Sequence, residues 1–250
     1  MRREQSLIGS SPIPSASQHV LSSDREMLIY EFFHMKENMP FKELSDAKHG
    51  GYFFDLREVK ENPNLIVKEL KLEKFEEYFG GGTQPRDAAG YIQNYYQQIK
   101  QHGLNEFVPR SQVVIGKNVG DKETVFVISD KINGEPLERE MFSNISFNEL
   151  TDKAKSNFKK IVTGLIDIYI DTFNGETGEV PEFSSLENYI VGEDKTDTNN
   201  YSKIYFVDLF PVERLGPKSV VDMLNSLENV TYSDFYTERI KLGKLSKKQR

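Results

Sequence analysis

The chain has 250 residues, 37% of them hydrophobic and 12% aromatic, which is enough apolar material for one large domain or two packed lobes. Its formal net charge of −7 argues against a global nucleic-acid or anionic-membrane binder, since both want an excess of Lys and Arg. With no cysteine, disulfides, thiolate metal sites and cysteine nucleophiles are all excluded, and the composition suits a reducing compartment.

Residues 1–23 hold seven serines and two prolines, too little apolar surface to offset the entropy of ordering, and are expected to form a disordered tail. The start is basic but has no apolar h-region, and no stretch approaches the ~20 consecutive apolar residues of a membrane-spanning helix. The expected location is therefore cytoplasmic. A first helix is expected from Asp24, with Met27, Leu28, Phe32 and Met35 on one face and Pro40 after it. Two strands follow, at 51–57 and 64–70, separated by the turn-prone Glu61-Asn62-Pro63-Asn64. In the second, Leu65 and Val67 face one way and Ile66 and Lys68 the other.

After Gly80-Gly81-Gly82, Pro85 and Asp87 open a helix whose apolar stripe is Ala88, Ile92, Tyr95 and Ile99, with Gly103 beyond its end. Strands at 111–116 and 124–129 read as a hairpin around Gly120-Asp121. The period then changes: Phe147, Leu150, Ala154, Phe158, Ile161, Leu165 and Ile168 form the longest helical stripe in the chain, the core helix of the second half. Two short strands, 188–192 and 203–208, and a closing helical region over 218–241 complete the body. The last ten residues carry five basic side chains and read as a solvated, basic tail over 241–250. The fold class is α+β: a small antiparallel-sheet lobe with one long helix over 24–130, then a mostly helical lobe over 131–240.

Four local features stand in an order similar to that of the protein-kinase-like fold, particularly its aminoglycoside-phosphotransferase-like and other atypical or pseudokinase branches, over about residues 50–210. Lys68, in the strand Leu65-Ile66-Val67-Lys68-Glu69-Leu70, resembles the strand lysine that reaches nucleotide phosphates. A lysine in an alternating strand can equally be a solvated edge residue. The run from Val125 through Asp130-Lys131-Ile132-Asn133-Gly134 to Leu137 resembles the strand and connector whose backbone, here at Asp130 and Ile132, meets an adenine edge. The apolar run Lys203–Val207 ending in Asp208 resembles the strand before the magnesium-binding aspartate, and a turn-capping role is the alternative.

The fourth feature is Asn188, which resembles the catalytic-loop asparagine that holds metal. The aspartate expected five residues earlier is replaced by Phe183, with no His nearby. Glu182 is the closest carboxylate and a displaced candidate for the base that accepts a hydroxyl proton. Two further departures weaken the phosphate cradle. Gly50-Gly51 lacks the G-x-G-x-x-G spacing, and the helix at 85–101 offers Asp87, Gln93, Gln97 and Gln98 but no glutamate for Lys68.

The resemblance implies an ATP- and Mg²⁺-dependent phosphotransferase with a degenerate motif, acting on an unassigned small-molecule or protein acceptor. The alternative is a non-catalytic pseudokinase module that binds a protein partner. His19, His34, His49 and His102 form no metal-ligand spacing, and there is no P-loop or nucleophile elbow. Tyr91, Tyr95 and Tyr96 lie at helical spacing and read as packing rather than as a base-stacking platform.

Overall fold

The computed structural model describes residues 29–31, 53–59, 62–118, 120–137, 147–192, 203–210 and 214–248. The tail expected over 1–23 lies outside them. Ten short strands, β1 (Ile29–Glu31), β2 (Phe54–Glu58), β3 (Leu65–Leu70), β4 (Ser111–Lys117), β5 (Glu123–Asp130), β6 (Gly134–Pro136), β7 (Gly178–Glu179), β8 (Tyr189–Gly192), β9 (Lys203–Phe206) and β10 (Arg214–Leu215), are found in these segments. The helices are α1 (Leu72–Phe79), α2 (Pro85–Gln101), α3 (Asp152–Asp171), α4 (Pro217–Thr231) and α5 (Tyr236–Lys248).

The first five strands form one sheet in the order β1-β4-β5-β3-β2, antiparallel except where β1 lies parallel to β4. Val125, Phe126, Val127 and Ile128 are all buried, as expected of a central strand covered on both faces. Registered pairs share a face, and Lys68, paired with Leu56 and Val127, therefore lies on the same face as Leu70, Val113, Ile115 and Val125. That face packs on α2, whose Ala88, Ile92, Tyr95 and Ile99 are all within 1% of full burial. Pro85 at the helix start and a reciprocal Gln84–Asp87 capping box fix where α2 begins. Gly103, at φ +70°, is the left-handed residue that lets the chain turn away.

The C-terminal part is built on α3. Thr151 caps it by accepting from the Ala154 amide, so the helix starts there and Phe147–Glu149 forms a separate short turn. The full stripe from Phe147 to Ile168 is buried. Phe158 lies at its centre, with ring centroids 5.0 Å from Phe147 and 4.8 Å from Tyr189. The strands β6, β8 and β9 form a small antiparallel sheet against it, β7 pairs with β10, and α4 and α5 close the body. The architecture is thus α+β, with an N-terminal sheet and long helix joined to a largely helical C-terminal region, an arrangement consistent with a two-lobed kinase-like fold.

Two expectations change, and one helix joins the elements expected. Ile29–Glu31 is a strand on the edge of β4 rather than part of a helix from Asp24, because edge pairing of an Ile-Tyr segment outweighs a loose 3.6-residue stripe. The rest of that expected helix lies outside the described residues. The segment Leu72–Phe79 is helical, α1, with Phe75 buried against Tyr91 at 5.8 Å. The closing region splits in two because Tyr232 takes the left-handed conformation at φ 53°, and its second helix runs to Lys248, through much of the stretch read as a tail. No helix among the described residues is long and apolar enough to cross a membrane.

Candidate functional site

Lys68 projects from β3 toward the chain that leaves β9. Its Nζ donates to the Val207 carbonyl at 2.8 Å, a contact between residues 139 positions apart. Asp208 follows immediately, two residues beyond an apolar strand that stops at Phe206. Lys68 and Asp208 are both half-buried and lie within electrostatic reach of each other. Burial pushes the Lys68 amine below its ordinary range, and Asp208 offsets part of that effect. Burial also pushes the Asp208 carboxyl up; Lys68 opposes the rise, while Glu182 and then Glu187 add to it. Asp208 is therefore acted on by one positive and two negative side chains at the junction of sheet and helical region.

The loop between β7 and β8 brings the remaining residues there. Asn188 is clasped on two sides: its Nδ2 donates to the Glu182 carbonyl at 2.8 Å, and its own carbonyl accepts from the Val207 amide at 2.9 Å. With Nδ2 used in this way, Oδ1 is the atom left to accept or ligate. The same two bonds place Glu182 beside the Asp208 segment across a six-residue turn. Phe183, standing where the resemblance expects an aspartate, is fully buried, and its carbonyl accepts from the Tyr189 hydroxyl at 2.8 Å. Glu182 is exposed, and its Oε1 accepts from the Ser184 amide at 2.9 Å and from the Ser184 hydroxyl. Leu209 and Phe210, after Asp208, are core residues, and Phe210 lies 6.3 Å from Phe54 of β2.

Lys68, Glu182, Asn188 and Asp208, all singled out from the sequence, therefore meet. Asp130 and Ile132 lie on the connector after β5. The Asp130 carboxylate is engaged by Arg110, its amide donates to the Arg110 carbonyl at 3.0 Å, and the Lys131 amide donates to Asn64 at 2.7 Å. No described backbone group pairs with the Ile132 amide. The Gly-x-x-Leu that follows has a packing explanation: a Cβ on Gly134 would sit 2.2 Å from the Val191 carbonyl oxygen, and Leu137 is fully buried. Among the described residues no three His, Cys, Asp or Glu side chains are grouped to hold a metal ion.

Sequence reading missed the contacts that hold α2. In place of a glutamate for Lys68, this helix presents Tyr91, hydrogen-bonded to Glu179 of β7. Burial and then Glu179 push the Tyr91 phenol far above its ordinary range. Arg214 of β10 bonds the same carboxylate and donates to the Thr172 carbonyl at 2.8 Å. Glu179 lies three residues before Glu182, and Arg214 six after Asp208, so this cluster ties α2 to both segments that carry the site. Tyr95, one turn further along, is 1% exposed and its hydroxyl has no hydrogen-bond partner among the described residues. The only available signal was the i, i+4 spacing of the two tyrosines.

These features define an α+β molecule with a charged site at the junction of its sheet-bearing and helical regions. Its fold resembles a solved structure, the GDP and kanamycin complex of APH(2")-IIia, with a TM-score of 0.39 and 10% sequence identity, over 85% of this chain and 86% of that one. No family model and no curated protein matches the chain. A likeness at this level carries no functional inference, so the function rests on the site itself.

Proposed function

We propose that the chain is a kinase-like nucleotide-binding protein that holds the phosphates of ATP, with Mg²⁺, between Lys68 and Asp208, and that it transfers phosphate with Glu182 as the proton acceptor. The observation carrying this reading is the meeting of Lys68 with Val207 and Asp208 across 139 positions of sequence, beside Asn188 and Glu182. An amine projecting from within β3 and oxygen donors on the facing loop form a complementary pair of contacts for a phosphate chain and its cation.

The donor chemistry fits the cation. Asp208 offers carboxylate oxygens and Asn188 its Oδ1, both hard donors, and Mg²⁺ is commonly held by one or two protein oxygens with the phosphates and water filling the rest. This also accounts for a site with fewer than three clustered acidic or His ligands among the described residues. When bound, the ion supplies charge neutralisation at the phosphates. Lys68 exchanges the Val207 carbonyl for a phosphate oxygen, Asn188 keeps Asp208 and Glu182 in register, and the Glu182 carboxylate takes the acceptor hydroxyl proton.

A second reading is favoured by Phe183. Because the position of the expected aspartate is a core residue, the site could hold nucleotide without transferring phosphate, as a pseudokinase-type interaction module does. Thermal unfolding with and without millimolar ATP and Mg²⁺ tests what the two readings share. A ligand at about 100 times its dissociation constant stabilises the native state by ~2.7 kcal/mol. We expect a metal-dependent rise that Asp208→Ala removes; no rise in the wild type overturns nucleotide binding in either form.

A further inference from the structure

The loop from Pro181 to Asn188 is pinned by a buried anchor. Phe183 is fully buried, whereas its neighbours Glu182 and Ser184 are exposed and half-exposed respectively. There the Ser184 hydroxyl donates to Glu182 Oε1 while the Ser184 amide donates to the same oxygen at 2.9 Å. Glu182 is itself held against the Asp208 segment by the Asn188 clasp. The candidate base is therefore already hydrogen-bonded to a serine hydroxyl of its own loop, which satisfies the geometric requirement for proton abstraction. Ser185 is similarly bonded to Glu187 at 3.1 Å. Glu182, however, acts more strongly than Glu187 on Asp208, and it is the residue whose backbone carbonyl Asn188 bonds, which fixes the main chain beneath its carboxylate.

We infer that Ser184 is an internal phosphoryl acceptor of this site, taking the terminal phosphoryl group of a nucleoside triphosphate. The inference rests on the nucleotide reading above and specifies its acceptor. Ser184 Oγ attacks the terminal phosphorus; the new O–P bond forms as the bond from that phosphorus to the bridging oxygen breaks. The nucleoside diphosphate leaves with the bridging oxygen, and the hydroxyl proton passes to the Glu182 carboxylate. Electrons and atoms balance without any further reactant. The product carries about −1.5 to −2 charge beside Glu182 on the same loop, and Ser184 offers one hydroxyl to receive it.

The test incubates the full chain with ATP and Mg²⁺ and reads both its unfolding temperature and its intact and fragment masses. The expected result is stabilisation together with one phosphoryl group localised to Ser184. Labelling is kept by Ser184→Thr, abolished by Ser184→Ala and slowed by about 100-fold or more in Glu182→Gln. Its rate per molecule is independent of protein concentration, as an intramolecular step requires. Stabilisation without a phosphoryl group on Ser184, or with the group on Ser185 instead, overturns the inference and leaves the nucleotide reading standing. Neither stabilisation nor labelling overturns both.

Discussion

The Lys68 amine and the Val207 carbonyl are joined at 2.8 Å, so a charged side chain of the N-terminal sheet is held by the backbone beside Asp208. Burial there is unfavourable for the charged forms of both Lys68 and Asp208, since it shifts each of them toward its neutral form. Replacing both, as Lys68→Met with Asp208→Asn, is expected to stabilise the protein. Lys68 and Asp208 interact without a direct salt bridge, so replacing both relieves the desolvation of two charges, and with both groups half-buried we expect a gain of about 1 kcal/mol. Urea unfolding measures it, and the same variant should lose all response to ATP and Mg²⁺. A loss of stability would show that attraction between the two outweighs their desolvation.

The same shifts give a pH dependence with a definite sign. Between the ordinary carboxyl value of 3.8 and the raised native value of Asp208, the native state binds a proton that the unfolded chain has released. The Asp208 contribution to stability is therefore lost as pH rises through that window. For Lys68 the window lies between its lowered native value and 10.5; there the unfolded chain holds the proton, and stability is gained as pH rises. Unfolding midpoints of the wild type and Asp208→Asn, compared from about pH 4 toward neutrality, should diverge in the variant's favour. Parallel curves would mean that the Asp208 carboxyl is not raised.

Tyr91 and Tyr95 should respond oppositely to loss of their hydroxyls. Tyr91→Phe removes a hydrogen bond to Glu179 and should cost about 1 kcal/mol, or more if Glu179 is left poorly satisfied. Tyr95→Phe removes a buried hydroxyl with no partner among the described residues and should be neutral or stabilising by up to about 1 kcal/mol. Denaturant unfolding of the two variants side by side checks the contrast. Destabilisation by Tyr95→Phe would point to a partner such as a bound water.

Gly134→Ala should be destabilising by about 2 kcal/mol or more. The added methyl group meets the backbone of Val191 at 2.2 Å, and backbone cannot rotate aside as a side chain can. Because β6 pairs with β8, the displacement also reaches the strand that begins at Tyr189, next to Asn188. A lower unfolding temperature together with a weaker nucleotide response is the expected pair of effects in a thermal melt.

Periodicity made most of the fold legible. The stripes of α2 and α3 and the alternation in β3 name residues that are buried in the structure, because amphipathic spacing records which side faces a core. Helix α1 was harder to see, being eight residues long with Leu72 and Phe75 as its main apolar signals. The two-residue strands β7 and β10 carry almost no pattern, since their pairing is set by Arg214 and Glu179 meeting in space. Within the site, Lys68, Asn188, Asp208 and Glu182 could be selected by strand ends and residue type. The Asn188 clasp on Glu182 could not, because it depends on a six-residue turn whose shape is imposed by Phe183 entering the core.

The Tyr91–Glu179–Arg214 cluster has a mechanical consequence. In a design where a helix supplies the partner of the strand lysine, rocking that helix away disarms the site. Here Lys68 takes its partners from the far side of the junction, while α2 is anchored below, to the same segments that flank those partners. The helix and the segments flanking the site are therefore tied through Glu179, so a tilt of α2 is expected to carry those segments with it rather than to part them from Lys68.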